Sequence, residues 1–357
     1  MKTLLTSLAL ALTLASTGVA AEPKVGELHR VISDPAAAVR DPGHDTHERM
    51  TVWYPAAADA QEQPVVSGPP GKPLFDGGRA ASDAAWRDGA TRYPIILLSH
   101  GFGGEARQVA WLGTVLARHG YVIVSVDHPG NNGVDKMTLA GATLWWLRAE
   151  DLRVALSAIE SDPTIAPHVD AEKLGVGGFS IGGYTALTLA GATPDPARYL
   201  RHCRLAPTDG VCLPQKEFPE LDPRTRPAGA FALWRANPPR AAAPLPIKAM
   251  FLMAPAVVSG LTPASLRRIH IRTAIVLGDA DTVATPQYNG EAAARLLSRA
   301  TIDVIPGVNH YDFLDLCAPA GQALVKGYCR PTGDDLQTSA HRIATDRALA
   351  LFDKALK

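Results

Sequence analysis

The sequence predicts a doubly wound, mostly parallel α/β sheet with one inserted segment, and three observations carry that prediction. First, strand-like runs recur at 94–99, 121–126, 173–179, 247–253, 271–277 and 301–305, and 94–99 is a continuous apolar run, as a buried parallel strand requires. Second, helix-compatible stretches alternate with them, at 106–119 (Val109, Leu112, Val115 and Leu116 on one face), 144–159, 291–300 and 339–356. Strands alternating with helices give parallel sheets through crossover connections. Third, the run ending at Phe179 passes into a helix-compatible run at Tyr184 through Gly178-Phe179-Ser180-Ile181-Gly182, a sharp strand-to-helix turn with a serine at its tip.

The elements follow in order. Lys2 supplies a positive start, 4–14 is apolar with small residues, and Val19-Ala20-Ala21 offers a small-x-small cleavage pattern. This reads as a signal peptide over 1–21. The run is too short to span a bilayer. The expected destination of the remaining 22–357 is the periplasm or the medium. Leu28 to Ile32 and Met50 to Tyr54 read as strands, the second stopped by Pro55. The stretch 56–88 is rich in Ala, Gly, Pro and Asp and reads as surface loop. Residues of about 192–246 interrupt the strand–helix alternation after the elbow helix, with many prolines, two cysteines and Trp234. They are expected to form a cap or lid on a single domain. Lys plus Arg balances Asp plus Glu at 35 each, which gives no argument for nucleic acid or an anionic membrane surface as a partner.

The chemistry is read from four loops at strand ends. The turn around Ser180 needs Gly178 and Gly182, because side chains there would collide with the neighbouring strand and helix. The serine oxygen would project near a helix N-terminus that favours developing negative charge. His100-Gly101-Phe102-Gly103-Gly104 follows the strand at 94–99. The N–H of Phe102, with that of Ile181 just past the serine, would form a pair of donors for a carbonyl oxygen becoming an anion. Gly278-Asp279-Ala280-Asp281 follows the next-to-last strand. Asp281 lies further past the strand end, where the loop reaches over the sheet, and is favoured over Asp279, which suits a turn or cap. Pro306-Gly307-Val308-Asn309-His310 follows the last strand, and His310 is the expected general base. A single histidine among 11 proves little. The order serine, acid, histidine along successive strands gives the assignment its weight.

Cys203, Cys212, Cys317 and Cys329 are an even set in an exported chain, and four cysteines allow three pairings. The short-range pairs Cys203–Cys212 and Cys317–Cys329 cost least loop entropy to close. The spacing does not fit a zinc site, which wants C-x-x-C or interleaved histidines.

With Val52-Trp53-Tyr54-Pro55, Leu98-Ser99-His100-Gly101-Phe102-Gly103-Gly104, Val126-Asp127-His128-Pro129-Gly130-Asn131, the elbow and Asn309-His310-Tyr311-Asp312-Phe313 on the page, the chain resembles the α/β-hydrolases. Within them it is similar to the dienelactone-hydrolase-like and platelet-activating-factor-acetylhydrolase-like exported esterases. The resemblance runs from about Met50 to the C-terminus. It implies a serine esterase for short-chain or lipid-derived acyl esters, working through an acyl-enzyme without metal or organic cofactor. Dienelactone hydrolases proper use a cysteine nucleophile and are typically cytosolic and shorter, so the name says little about substrate. Two other readings stay open: a peptidase or amidase using the same triad, and a non-catalytic binding protein on the same fold. His100 and His128 are expected to shape the site rather than react.

Overall fold

The structure, a computed structural model, describes residues 22–43, 46–89, 92–225, 228–240 and 243–357. The segment 1–21, read from the sequence as a signal peptide, lies outside them. Among the described residues no helix is long and apolar enough to cross a membrane.

Eleven strands form the sheet: β1 (Lys24–Ser33), β2 (His47–Ala56), β3 (Gln63–Ser67), β4 (Phe75–Ser82), β5 (Tyr93–Ser99), β6 (Val122–Asp127), β7 (Val169–Phe179), β8 (Ala249–Met253), β9 (Arg272–Gly278), β10 (Ala300–Ile305) and β11 (Leu316–Cys317). Their spatial order is β10-β9-β8-β7-β5-β6-β2-β1-β4-β11, with β3 paired to β4. From β10 to β6 every neighbouring pair is parallel. The antiparallel pairs β6–β2 and β2–β1 extend that sheet.

The pleat explains the unbroken apolar runs. Successive side chains point to opposite faces, so Ile95 and Leu97 join one buried cluster with Val124, Val176 and Leu252. Ile96 and Leu98 join the other with Trp53, Ile123 and Phe251. Each face is then covered by helices. Helices α1 (Ala110–Arg118) and α7 (Leu336–Leu356) contribute Leu112, Leu116, Ala344 and Phe352 to the second cluster. Helices α2 (Arg148–Ser161) and α3 (Ile181–Leu189) contribute Leu152, Ile159, Tyr184 and Leu187 to the first.

One expectation is corrected. The stretch read as a loop over 56–88 contains β3 and β4. Its sequence, Phe75-Asp76-Gly77-Gly78-Arg79-Ala80-Ala81-Ser82, has little intrinsic β preference. The strand forms because neighbours fix it. β3 and β11 pair along it, and Gly77 lets it approach α1 so closely that a Cβ there would stand 2.6 Å from that of Ala110.

The residues after α3 fold as helix α4 (Pro196–Leu205), 3₁₀ turns at Gly210–Cys212 and Pro223–Thr225, and helix α5 (Ala228–Ala236). Asp195 caps α4 by accepting from the Arg198 N–H at 2.9 Å, and Pro196 stands in its first turn. The Cys203–Cys212 disulfide joins the last turn of α4 to the 3₁₀ turn. Trp234 of α5 packs edge-on against Trp145 and Trp146, with ring centroids at 6.3 and 6.1 Å. Helix α6 (Gly290–Leu296) links β9 to β10.

Candidate active site

The carboxyl ends of β5, β7, β9 and β10 bring four loops together, and each position has a local cause. Ser180 follows β7 with φ 57° and ψ −123°, a conformation that a non-glycine residue adopts only where its surroundings impose it. The imposing contacts are specific. A Cβ on Gly178 would stand 2.2 Å from the Gly182 carbonyl oxygen, and one on Gly182 would stand 2.1 Å from that of Ser99. Hydrogen bonds from the Ser180 N–H to Met253 O and from the Ala256 N–H to Ser180 O, both 2.9 Å, hold the turn against the end of β8. α3 starts at the next residue.

His310 lies 2.8 Å from the serine, Nε2 to Oγ. Its other nitrogen, Nδ1, lies 2.7 Å from Asp281 Oδ2. A carboxylate only accepts, so the imidazole proton sits on Nδ1 and the Nε2 lone pair faces the serine hydroxyl. Asp281 is itself aimed: its Oδ1 accepts from the Val283 and Ala284 N–H groups at 2.8 Å each. All three side chains are buried, with Ser180 6% exposed and the other two 3%. Asp279 stands apart and accepts from the Gly307 N–H at 2.7 Å, closing the turn after β10. Sequence reasoning gave it that kind of turn role.

Phe102, Ile181 and Ser180 line one cleft. Among the described residues, neither the Phe102 N–H nor the Ile181 N–H donates a hydrogen bond within the protein. Both donors therefore stay available to an incoming oxygen. The cleft, of about 490 Å³ including its open mouth, is mainly apolar, with Trp145, Tyr199, Val211, Phe218, Leu221 and Val257 in its wall. Four of these, Tyr199, Val211, Phe218 and Leu221, come from α4 and the segment after it. Tyr199 Oη donates to Val211 O at 2.6 Å, and the 3₁₀ turn holding Val211 is tied by Cys212 to α4.

The histidine loop has its own brace, which the sequence did not announce. Asn309 and Asp312 form a capping box around the turn His310–Phe313. The Arg330 guanidinium donates to both Asp312 oxygens, at 2.7 and 2.5 Å, and to Gly307 O at 2.6 Å. Arg330 follows Cys329, which is bonded to Cys317 of β11. The disulfide thus fixes the residue that pins both ends of the histidine turn. The insertion touches the same region without a covalent link: Lys216 Nζ donates to Gly327 O at 3.0 Å and lies 4.8 Å from the Tyr311 ring centroid. Beside it Glu217, whose carboxyl is pushed above the usual range by burial, lines a small recess with Gln108, His310 and Tyr311.

A prediction arises here. Replacing both Cys317 and Cys329 by serine opens a loop whose closure is worth about 3 kcal/mol in the chain-entropy model. The expected result is a lower melting temperature and a fall in kcat with KM little changed, since a loosened imidazole costs turnover rather than binding. Equal kcat in a fully folded double variant would separate the bridge from the histidine loop.

The chain is similar to known ester hydrolases over part of its length. Residues 75–201 match the PET hydrolase-like family. That stretch, about a third of the chain, includes Phe102 and Ser180 but not Asp281 or His310. Over 105 residues the chain is 31% identical to Cutinase 1 of Thermobifida cellulosilytica, covering 29% of this chain and 36% of that protein. It is 34% identical over 105 residues to Cutinase est2 of Thermobifida alba, covering 29% and 32%. It is 28% identical over 120 residues to the bis(hydroxyethyl) terephthalate hydrolase of Streptomyces coelicolor, covering 34% and 35%. The matched stretches thus span about a third of these curated relatives. In three dimensions the chain resembles the ferulic acid esterase of Streptomyces cinnamoneus, with a TM-score of 0.60 and 20% identity over 94% of this chain and 91% of that one. Strand order, loop order and this whole-chain likeness agree: the chain has the fold of the α/β-hydrolase superfamily.

Proposed function

We propose that the chain is an exported serine hydrolase that cleaves carboxylic esters through an acyl-enzyme. The observation that carries the reading is the hydrogen-bonded series Ser180 Oγ, His310 and Asp281 at the floor of an apolar cleft. In the proposed cycle Ser180 Oγ attacks the ester carbonyl while its proton passes to His310 Nε2. Asp281 steadies the imidazolium through Nδ1–H. The carbonyl oxygen becomes an anion held by the Phe102 and Ile181 N–H groups. Collapse expels the alcohol, which takes the proton from Nε2. Water then attacks the acyl-serine, giving its proton to His310, and the second collapse returns the proton to Ser180 Oγ and releases the acid.

The cleft suggests the substrate class. Aromatic and branched side chains favour an apolar acyl or aryl group beside Ser180. Short-chain and lipid-derived acyl esters fit that description. The named relatives act on cutin-type and terephthalate esters, by their names, and support an ester bond as the target. The residues of about 192–246 act as a cap in this reading, because Tyr199, Val211, Phe218 and Leu221 complete the cleft wall. Export through the 1–21 segment accords with the two disulfides.

The test is a fluorophosphonate probe together with matched p-nitrophenyl ester and amide panels. Labelling confined to Ser180, with esters turned over and amides not, is the expected result. Preferential amide cleavage would favour the peptidase reading, and no labelling would favour a binding protein. A further prediction concerns the wall. Leu221→Phe narrows the cleft, so kcat/KM for a hexanoate ester is expected to fall about tenfold relative to acetate, within the about 1–3 kcal/mol available to apolar pocket fit. An unchanged ratio would remove Leu221 from the acyl site.

A further inference from the structure

Beneath the site lies a second Ser–His–Asp series. Ser99 Oγ stands 2.9 Å from His128 Nε2, and His128 Nδ1 stands 2.7 Å from Asp151 Oδ2. The connectivity matches that of Ser180, His310 and Asp281. It is no second catalytic centre. All three side chains are 0% exposed. The Ser99 oxygen is also covered by Arg148, whose Nη2 donates to it at 3.3 Å. Arg40 donates to both Asp151 oxygens, at 2.7 Å to Oδ2 and 2.5 Å to Oδ1. Burial, reinforced by the Arg148 guanidinium, holds the His128 imidazole well below the ordinary histidine range, so it sits there neutral.

What this cluster touches gives it a use. Arg148, 1% exposed at the start of α2, spreads its fork over three elements. It donates to the His100 carbonyl and Ser99 Oγ at the end of β5, to Asn131 Oδ1 at 3.4 Å after β6, and to Thr185 Oγ1 at 3.3 Å in α3. Asn131 Oδ1 in turn accepts from the Gly103 N–H at 2.8 Å. The His128 N–H donates to His100 Nε2 at 3.3 Å, which leaves the His100 proton on Nδ1, 2.7 Å from Gly101 O. The Gly101 carbonyl and the Phe102 N–H belong to one peptide group. In a trans peptide they point in opposite directions, so holding that carbonyl away from the cleft aims the N–H into it.

We infer that Arg148, with Ser99, His128 and Asp151 behind it, is a positioning device that locks the Gly101–Phe102 peptide and ties it to the helix starting beside Ser180. The inference rests on the ester-hydrolase reading. Its chemistry is preorganisation: a donor already aimed at the developing oxyanion needs no reorganisation during reaction. Arg148 touches no substrate atom and acts through the loop.

The test uses the full-length enzyme with p-nitrophenyl acetate. Arg148→Met keeps the apolar stem and removes the fork. Its kcat is expected to fall about ten- to a hundredfold with KM within about twofold, since one oxyanion donor is worth about 10²–10³ in kcat. Amide hydrogen exchange over 99–104 should quicken in the same variant. Arg148→Lys, which can still donate to one or two of the four acceptors, should recover part of the loss. Ser99→Ala removes one strut with little change of volume and should lower kcat by a smaller factor, again without moving KM. A folded Arg148→Met with unchanged kcat, or one altered only in KM, overturns the inference. Should Arg148→Met fail to fold, Ser99→Ala decides, and unchanged kcat and exchange there overturn it. Failure of the ester-hydrolase reading looks different: the unmutated enzyme would then turn over no ester.

Discussion

Ser180→Ala is expected to abolish ester turnover and leave the fold intact. Among the described residues Ser180 Oγ makes one hydrogen bond, to His310 Nε2 at 2.8 Å, and it faces the cleft. Removing it deletes the nucleophile while leaving the imidazole nitrogen beside space that water can enter. The turn itself is set by backbone bonds to Met253 and Ala256 and by the close approach of Gly182 to Ser99. Alanine has the same Cβ, so it meets no new clash in the positive-φ conformation that serine already occupies. Loss of a catalytic serine lowers kcat on the scale of about 10⁶, which puts the variant below detection in a routine assay. Circular dichroism and melting temperature should match the unmutated protein. Residual turnover with native spectra would move the nucleophile elsewhere.

The fold was legible wherever burial is two-sided. Runs such as Ile95-Ile96-Leu97-Leu98 fill both faces of a parallel sheet, and that demand is written in the residues themselves. β4 was illegible because its existence depends on partners distant in the chain, β11 among them, and not on its own Asp, Gly, Arg and Ala content. The insertion could be recognised by its prolines and broken periodicity, but not its path: the contact of Lys216 with Tyr311 joins residues 95 positions apart with no motif to mark it.

The site divides in the same way. Ser180, Asp281 and His310 could be named because each follows a strand in a fixed order, and the structure brings these side chains together. Phe102 and Ile181 followed from the same loops. Arg148 could not be named. It sits on a helix whose pattern reads as amphipathic, and only packing places its guanidinium inside the protein. The signal nearest to it was Ser99 and His128, polar residues at the ends of neighbouring buried strands. Arg330 was hidden for a related reason: its importance lies in Asp312 and Gly307, which the disulfide loop brings to it.

The choice between the two aspartates gives the second large effect. Asp281→Asn is expected to lower kcat by about 10⁴, the scale of a histidine held in the wrong tautomer. Here the geometry dictates which way the amide must point. Two backbone N–H groups, of Val283 and Ala284, converge on Oδ1 at 2.8 Å. An amide nitrogen there would set donor against donors, so the asparagine oxygen stays in that position. Its NH₂ then occupies the place of Oδ2 and donates toward His310 Nδ1. The imidazole proton shifts to Nε2, and the nitrogen facing Ser180 can no longer accept the hydroxyl proton. Asp279→Asn has no such route. Its Oδ1 accepts from Gly307 N–H at 2.7 Å, and an amide oxygen can accept the same bond. That variant should lose a modest amount of stability and keep kcat within about tenfold of the unmutated enzyme, because it leaves the His310–Asp281 contact untouched. The two kcat values, measured on the same ester at the same pH, decide the assignment. A large loss in Asp279→Asn beside a small one in Asp281→Asn would make the turn aspartate the catalytic acid and leave Asp281 as a loop anchor.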